Sequence, residues 1–478
     1  MIQCENITYH YKEETEANLD AVTFRIQRGE FVVIAGKSGC GKTTLARCIN
    51  GLIPHFEEGQ LQENIFLMGQ NTREMKIGQI GEIVGSVFQD PRSQFFTTTV
   101  FDELAFGCRN AGLSRDEILK RIDMTVREMG IENLKDRNLL TLSSGEKQKV
   151  AIASCYCMKP QIFMFDEPSA NLDPQSVMEL RGMLQKLKEM GHTIVVFEHR
   201  LYYLCNLPDR FAVMDKGMFQ KIYTKEELCE ITEAQLIAMG LRSFYPKEIA
   251  MKHTLSESNM VMEQSALLEV EHLKFRYNKG EASILEEVSL KVKQGEIIAL
   301  VGNNGEGKTT FAKVLTGLLK EQSGTIKINH QNMTQKQRLR EMYYVLQDSD
   351  YQLFAESVEK ELLMGIEHTS EKREQLERIL SEFELQPYRM QHPMALSRGQ
   401  KQRVTIAAAM MSDAKILILD EPSSGLDGEN MRRLAKVLRE IALTGKAILI
   451  ISHDAEFIEV CAQRVVELRK GGFYEQQE

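Results

Sequence analysis

Two short apolar runs, Phe31–Ala35 (FVVIA) and Ile297–Val301 (IIALV), each stand just before a glycine-rich stretch. Uninterrupted runs of this length predict strands buried on both faces. The glycines that follow predict tight turns leading into helices. Two further runs, Ile162–Phe165 and Ile416–Leu419, are apolar and end in the carboxylate pairs Asp166–Glu167 and Asp420–Glu421. They predict strands that deliver acidic groups to their C-terminal ends. Beyond Asp173 the period changes: Val177, Leu180, Met183, Leu184, Leu187 and Met190 recur at helical spacing and mark one apolar face. Pro174 suits the first helical position with Asp173 as cap. Gly191 ends this helix, as Gly445 ends the matching one. No apolar run approaches the roughly 20 residues a membrane span needs, and the segment Met1–Ala17 has no apolar stretch suited to a signal peptide. The expected compartment is the cytoplasm, without a bilayer crossing.

The pattern occurs twice. Leu142–Val150 (LSSGEKQKV) and Leu396–Val404 (LSRGQKQRV) are identical at six of nine positions and lie 254 residues apart. The same offset of 254 relates Ile162–Asp173 to Ile416–Asp427 and His199 to His453. Gly36–Thr44 (GKSGCGKTT) recurs as Gly302–Thr310 (GNNGEGKTT) at an offset of 266, which Tyr11 and Tyr277 share. Gln89 and Gln347 differ by 258. A period this long signals two homologous domains rather than a solenoid. Each half reads as α/β, and the expected boundaries are 1–240 and 266–478. The polar, charge-balanced linker 241–265 is compatible with partial helix.

Composition narrows the partners. A net charge of −9 argues against broad nucleic-acid binding. Nine cysteines without a pair of CxxC motifs make a zinc or iron–sulfur site an unsuitable reading and fit reduced thiols. Cys155 and Cys157 are spaced poorly for a chelate and read as packing residues.

The glycine-rich stretches carry the chemistry. Both match G-x-x-x-x-G-K-[ST], a phosphate-binding loop whose glycines let the backbone wrap an anion while the next helix points its N–H groups at it. The candidate binding residues are Gly36, Lys37, Ser38, Gly39, Cys40, Gly41, Lys42, Thr43 and Thr44, and Gly302, Asn303, Asn304, Gly305, Glu306, Gly307, Lys308, Thr309 and Thr310. Lys42 and Lys308 would contact the β/γ-phosphates of ATP, and Thr43 and Thr309 would ligate Mg²⁺. Asp166 and Asp420 fit the role of holding that ion, as in other P-loop NTPases. Glu167 and Glu421 are then placed to polarise the attacking water. Cys40, inside the first loop, reads either as a tolerated small residue or as a thiol whose bulky adduct would block nucleotide there.

The order P-loop, glutamine, LSxGx, apolar-Asp-Glu, SxxLD and histidine resembles the nucleotide-binding domain of ATP-binding cassette (ABC) proteins, in both halves. The resemblance implies two tandem P-loop NTPase domains, each with a mainly parallel sheet, a small antiparallel β part and a helical subdomain. It also implies that Tyr11 and Tyr277 stack on adenine and that Gln89 and Gln347 touch metal and attacking water. Asp173 and Asp427 become the D-loop aspartates, and His199 and His453 contact the γ-phosphate. Ser143 and Gly145 would complete the site at Gly302–Thr309, and Ser397 and Gly399 the site at Gly36–Thr43. Pairing of the two halves within one chain is expected, with an intermolecular arrangement left open.

Within this family, Val87–Gly107 (VFQDPRSQFFTTTVFDELAFG) and Val345–Gly365 (VLQDSDYQLFAESVEKELLMG) resemble the segment of energy-coupling factor (ECF) and cobalt-type importer ATPases, though Ser349 replaces the proline of the first copy. Phe197–Leu204 (FEHRLYYL) resembles fused ATPases of that group. The implied partners are a transmembrane coupling protein and a small substrate-binding membrane protein, at the cytoplasmic membrane face. The implied cargo is a vitamin, related micronutrient or metal ion. Rival classes are a fused sugar-type importer ATPase and a tandem translation factor. The former commonly loses catalytic residues in one half, and both halves here keep Lys, Asp, Glu and His. The latter usually has a more basic linker. Ser144 and Arg398 stand where the family's LSGGQ has its middle glycine, and Glu146 replaces its glutamine; the phosphate-binding serine and second glycine are kept in both copies, so binding is expected at both sites and equality of their rates is left open.

Overall fold

The computed structural model describes residues 1–12, 17–170, 172–246, 266–278, 280, 282–469 and 471–474. The chain divides into two compact units, Met1–Tyr245 with Asp427–Glu429, and Pro246–Leu426 with Asn430–Glu478. Of the linker, residues 247–265 lie outside the described residues. Its first part does not behave as a spacer: Leu241 and Phe244 are buried in the core of the first unit.

In the first unit, β1 (Ile2–Tyr11), β2 (Leu19–Ile26), β4 (Gly59–Leu67) and β5 (Gln70–Asn71) form an antiparallel sheet in the order β2-β1-β4-β5. A second sheet joins β3 (Phe31–Gly36), β6 (Val84–Val87), β7 (Ile162–Asp166), β8 (Thr193–Phe197), β9 (Arg210–Asp215) and β10 (Met218–Thr224) in the order β10-β9-β3-β8-β7-β6. All its pairs are parallel except the edge pair β9–β10. The apolar run of β3 has a direct cause. Phe31, Val33 and Ala35 enter one core, and Val32 and Ile34 enter the core on the opposite face. A strand covered on both sides has no polar positions to alternate with.

Helices follow from their caps. Ser114, Ser143 and Asp173 cap the helices Arg115–Met129, Ser144–Cys157 and Pro174–Glu189 by accepting from backbone N–H groups of the first turn. Val177, Leu180, Met183, Leu184 and Leu187 are buried as the period predicts, but Met190 is 40% exposed. Met190 is the C-cap residue, past the last turn, so the helical period no longer sets its direction.

The second unit repeats this plan. An antiparallel sheet has the order β12-β11-β14-β15, from β11 (Ala266–Phe275), β12 (Leu285–Lys293), β14 (Ser323–Ile328) and β15 (Gln331–Asn332). The mainly parallel sheet has the order β16-β17-β18-β13-β19-β20, from β13 (Ile297–Val301), β16 (Met342–Val345), β17 (Ile416–Asp420), β18 (Ala447–Ile451), β19 (Arg464–Arg469) and β20 (Gly472–Tyr474). Each unit therefore has the expected parallel sheet, small antiparallel part and separate helices.

Candidate functional site

The strand order β3-β8-β7 decides what meets at the C-terminal edge of the first unit's parallel sheet. That edge is where ligands bind in open α/β sheets. The helix that follows β3 and its loop opens with Lys42, the end of β7 carries Asp166 and Glu167, and the turn after β8, between them, carries His199. In the second unit β13-β18-β17 brings together Lys308, His453, and Asp420 with Glu421.

The first P-loop ends on Gly41 at φ +100°, the N-cap of the helix Lys42–Ile49, and no side chain caps that helix. A Cβ on Gly41 would lie 2.5 Å from the Asn18 carbonyl oxygen, so both conformation and space require glycine. Lys42 is buried, and its ammonium donates to the carbonyls of Gly36 (3.0 Å) and Lys37 (3.1 Å). Lys308 donates in the same way to Gly302 (2.6 Å) and Asn303 (2.9 Å). The loops differ at their fifth residue. Cys40 is buried, and burial pushes its thiol up from its ordinary value despite Lys42 Nζ at 3.8 Å. The geometry favours a packed small residue there over a reactive thiol. Glu306 accepts from the backbone N–H of Asn303 within its own loop (3.2 Å).

Asp166 is pushed up to about 7, first by burial and then by the adjacent Glu167, with Lys42 opposing. Burial also raises Asp420, against hydrogen bonds from Tyr344 and Thr309. Tyr344 Oη donates to Asp420 Oδ2 at 2.8 Å, and Thr309 Oγ1 to the same oxygen at 3.0 Å. Ser86 occupies the position of Tyr344 in the first half, so the two aspartates differ in their anchoring. Asp420, buried and bonded by the Thr309 hydroxyl with Lys308 nearby, suits a hard cation bound with phosphate, and half-buried Asp166 with Lys42 nearby offers the matching carboxylate. The donor set thus fits a magnesium nucleotide.

Glu167 and Glu421 adopt φ of +45° and +50°, uncommon for a residue with a side chain. The turn is held by backbone bonds from Glu167 N to Phe197 O and from Glu421 N to Ile451 O, both 2.8 Å. Gln89 Nε2 donates to Glu167 Oε2 at 2.7 Å, and His199 Nε2 lies 3.2 Å from Glu167 Oε1. His453 Nε2 is 3.8 Å from Glu421 Oε1, while Ser452 Oγ donates to Glu421 Oε2 at 3.2 Å. Glu167, with an amide on one oxygen and an imidazole near the other, has the chemistry to accept a proton from a bound water.

The aromatic pair sits beside the P-loop helices. The hydroxyls of Tyr11 and Tyr277 lie 3.4 and 3.3 Å from Thr44 and Thr310 Oγ1. A cavity of about 700 Å³ opens beside Tyr11, lined also by Lys12, His55 and Phe56. The nonapeptides are helix starts: Ser143 and Ser397 form capping boxes with Glu146 and Gln400. The S-x-x-E/Q spacing was the signal for these boxes in the sequence. Asp173 accepts from Ser176 N at 2.7 Å as a cap, and Asp427 is buried directly before the helix Gly428–Leu443.

The long segments after Gln89 and Gln347 fold alike. Gln94 accepts from Phe88 N (3.3 Å) and donates to Ser86 O (3.1 Å), and Gln352 does the same with Leu346 N (3.0 Å) and Tyr344 O (2.7 Å). Buried Glu103 accepts from Phe96 N and Thr97 N, and buried Glu361 from Phe354 N and Ala355 N. The result is a pinned loop whose Phe96 and Phe354 are each 73% exposed. Glu103 and Glu361 are the acidic positions of the doubled segment, and the structure gives them their bracing role; nothing local in the sequence marks Tyr344 or the buried Glu198.

Comparison with known proteins gives a consistent picture. The family model described as ABC transporter matches residues 19–170 and 285–424. A putative ABC transporter ATP-binding protein of Treponema denticola is 38% identical over 472 residues, covering 98% of this chain and 96% of that protein. The "Putative HMP/thiamine import ATP-binding protein YkoD" of Bacillus subtilis is 32% identical over 498 residues, covering 99% of this chain and 90% of that protein. Among solved structures, a chain of the "Model of ribosome-bound archaeal Pelota and ABCE1" matches with a TM-score of 0.69 at 25% identity, covering 96% of this chain and 76% of that one.

Proposed function

The chain belongs to the ABC transporter family of ATP-binding proteins, and on that premise we propose that it is the energy-coupling subunit of an ECF-type importer. Members of this family couple ATP hydrolysis to transport, and they bind ATP with Mg²⁺. Their partners are membrane transporter subunits. Among the described residues, no helix is long and apolar enough to cross a membrane. In the proposal the chain sits at the cytoplasmic membrane face, on a transmembrane coupling protein that works with a small substrate-binding protein. The cargo class is a vitamin, related micronutrient or metal ion.

The single observation that carries the ECF reading is the doubled segment Val87–Gly107 and Val345–Gly365. In each, a glutamine and a buried glutamate pin the loop and leave one phenylalanine in solvent. Exposed aromatics on a braced loop suit a contact with a partner. The Bacillus subtilis relative, named as a putative HMP/thiamine import ATP-binding protein, supports the same class.

The proposed division of labour follows the site. Residues 36–44 and 302–310 cradle the phosphates, with Lys42 and Lys308 drawn from their loop carbonyls to the β/γ-phosphates. Thr43, Asp166 and Gln89, and Thr309, Asp420 and Gln347, would hold Mg²⁺. When bound, that ion neutralises charge developing on the phosphate oxygens. Glu167 and Glu421 take the proton of the attacking water, and Gln89, Gln347, His199 and His453 orient the groups around it. Tyr11 and Tyr277 face the adenine. Ser143 and Gly145, Ser397 and Gly399, and the D-loop residues Asp173 and Asp427 complete the set. The division into domains 1–240 and 266–478 with a linker at 241–265 belongs to the same proposal, with Leu241 and Phe244 anchoring the start of the linker on the first unit. ATP drives transport to the extent that it binds one arrangement of the halves better than another.

The test is affinity capture of the chain from native membranes followed by identification of what copurifies. A transmembrane coupling protein together with a small membrane protein is the expected result. Recovery of sugar-importer permeases, or of ribosomes, would overturn the ECF reading.

A further inference from the structure

The turns that hold the two histidines have different sequences. β8 runs into Glu198-His199-Arg200, whereas β18 runs into Ser452-His453-Asp454. In the second unit the carboxylate after the histidine ties the neighbourhood together. Asp454 is buried and accepts from Ser423 Oγ at 2.7 Å, two residues beyond Glu421. Its own N–H bonds Ser452 Oγ at 3.1 Å, and Oδ1 accepts from Phe457 N at 3.2 Å. One carboxylate therefore joins the segment after Glu421 to the turn that carries His453.

Arg200 cannot accept these bonds. In the first unit the carboxylate sits before the histidine instead. Glu198 is 2% exposed, yet four donors converge on it. Oε1 accepts from His199 N at 2.8 Å and Arg200 N at 3.1 Å. Oε2 accepts from Tyr203 Oη at 2.7 Å and from Ser169 N at 3.3 Å. Ser169 is the counterpart of Ser423 and stands two residues beyond Glu167. A buried carboxylate is tolerated only when its lone pairs are satisfied in this way. The device found in the second unit is thus present in the first, with its acidic group moved two residues toward the N-terminus.

We propose that Glu198 is the positioning residue of the first site. It fixes the backbone at His199, and with it the imidazole 3.2 Å from Glu167 Oε1, while anchoring the segment that follows Glu167. Asp454 performs the same task for His453 from the other side of the histidine. Glu198 acts through its neighbours and touches no reacting atom. The proposal rests on the reading of Glu167 and His199 as parts of a hydrolytic site.

The experiment uses the full-length chain carrying Glu421→Gln, so that turnover reports the first site. Glu198→Gln and Glu198→Ala are compared for kcat, for KM of ATP and for the ring resonances of His199 in histidine-labelled protein. Glu198→Gln keeps the shape and one acceptor, so it guards against a misfolded alanine variant. The expected result is a kcat at least tenfold lower with KM changed less than threefold, and a shifted or broadened His199 signal. The double variant Glu198→Ser, Arg200→Asp, which copies the second unit, is expected to regain much of the turnover and the signal. Unchanged kcat and an unchanged His199 resonance in both single variants would overturn the proposal. So would a loss in which KM rises as much as kcat falls and the resonance stays in place. His199→Ala in the same background separates the two readings. If it leaves turnover intact, His199 has no part in hydrolysis, yet its resonance in the Glu198 variants still decides whether Glu198 positions it.

Discussion

Replacing Glu103 with alanine removes the brace beneath Phe96. Its carboxylate accepts three hydrogen bonds, from Phe96 N at 3.1 Å, Thr97 N at 3.0 Å and Thr97 Oγ1 at 2.9 Å. Bonds to a charged group contribute about 1.5–3 kcal/mol each, and burying the carboxylate offsets part of that sum. A net local loss of about 2–4 kcal/mol follows for Glu103→Ala. At about 1.4 kcal/mol per tenfold, protection of the Phe96 and Thr97 amides from hydrogen exchange should fall by roughly 30-fold or more. Amides near Phe354, braced by Glu361 in the other unit, serve as the internal control and should keep their protection. Protection of Phe96 and Thr97 within threefold of wild type would refute the claim that Glu103 pins this loop.

Tyr344→Phe removes the hydroxyl at Asp420 and leaves Thr309 as its remaining hydroxyl donor; Mg²⁺-dependent nucleotide binding by a Lys42→Ala chain should weaken roughly tenfold, and a change under twofold would contradict this. Of the nine thiols, exposed Cys229 should alkylate first and buried Cys40 slowly, as read by mass spectrometry; equal rates would contradict the packed geometry of the first P-loop. The Asp166 carboxyl, pushed up to about 7 from 3.8, keeps its proton longer in the folded chain than in the unfolded one. Without nucleotide, its contribution to stability is therefore complete below about pH 4 and is lost as pH rises to about 7. Asp166→Asn should flatten this part of a denaturant-unfolding pH profile, and an unchanged slope would exclude the effect.

Much of the fold was legible because its strongest signals are local. The runs at Phe31 and Ile297 are apolar at every position because both faces of a central strand are covered. The P-loop glycines announce themselves because Gly41 must take φ +100°. The carboxylate pairs stand at strand ends, and the strand order then gathers them with the lysines and histidines. Other features depend on partners outside their own element. Glu103 looks like one more helical acid, and only the loop folding back over it makes it buried. Glu198 reads as an ordinary charge beside a histidine until Ser169, from a separate stretch, converges on it together with the nearby Tyr203. Tyr344 sits in a short apolar strand, where nothing local says that its hydroxyl reaches Asp420. Met190 fits the helical period but falls past the last turn, where the period stops constraining direction.

Steady-state ATP turnover of the purified chain, measured for wild type and for Glu167→Gln and Glu421→Gln singly, tests the central claim that both units are hydrolytic. Each variant should still bind ATP and should turn it over well below the wild-type rate. Full activity in either variant would show that the site it alters does no hydrolysis.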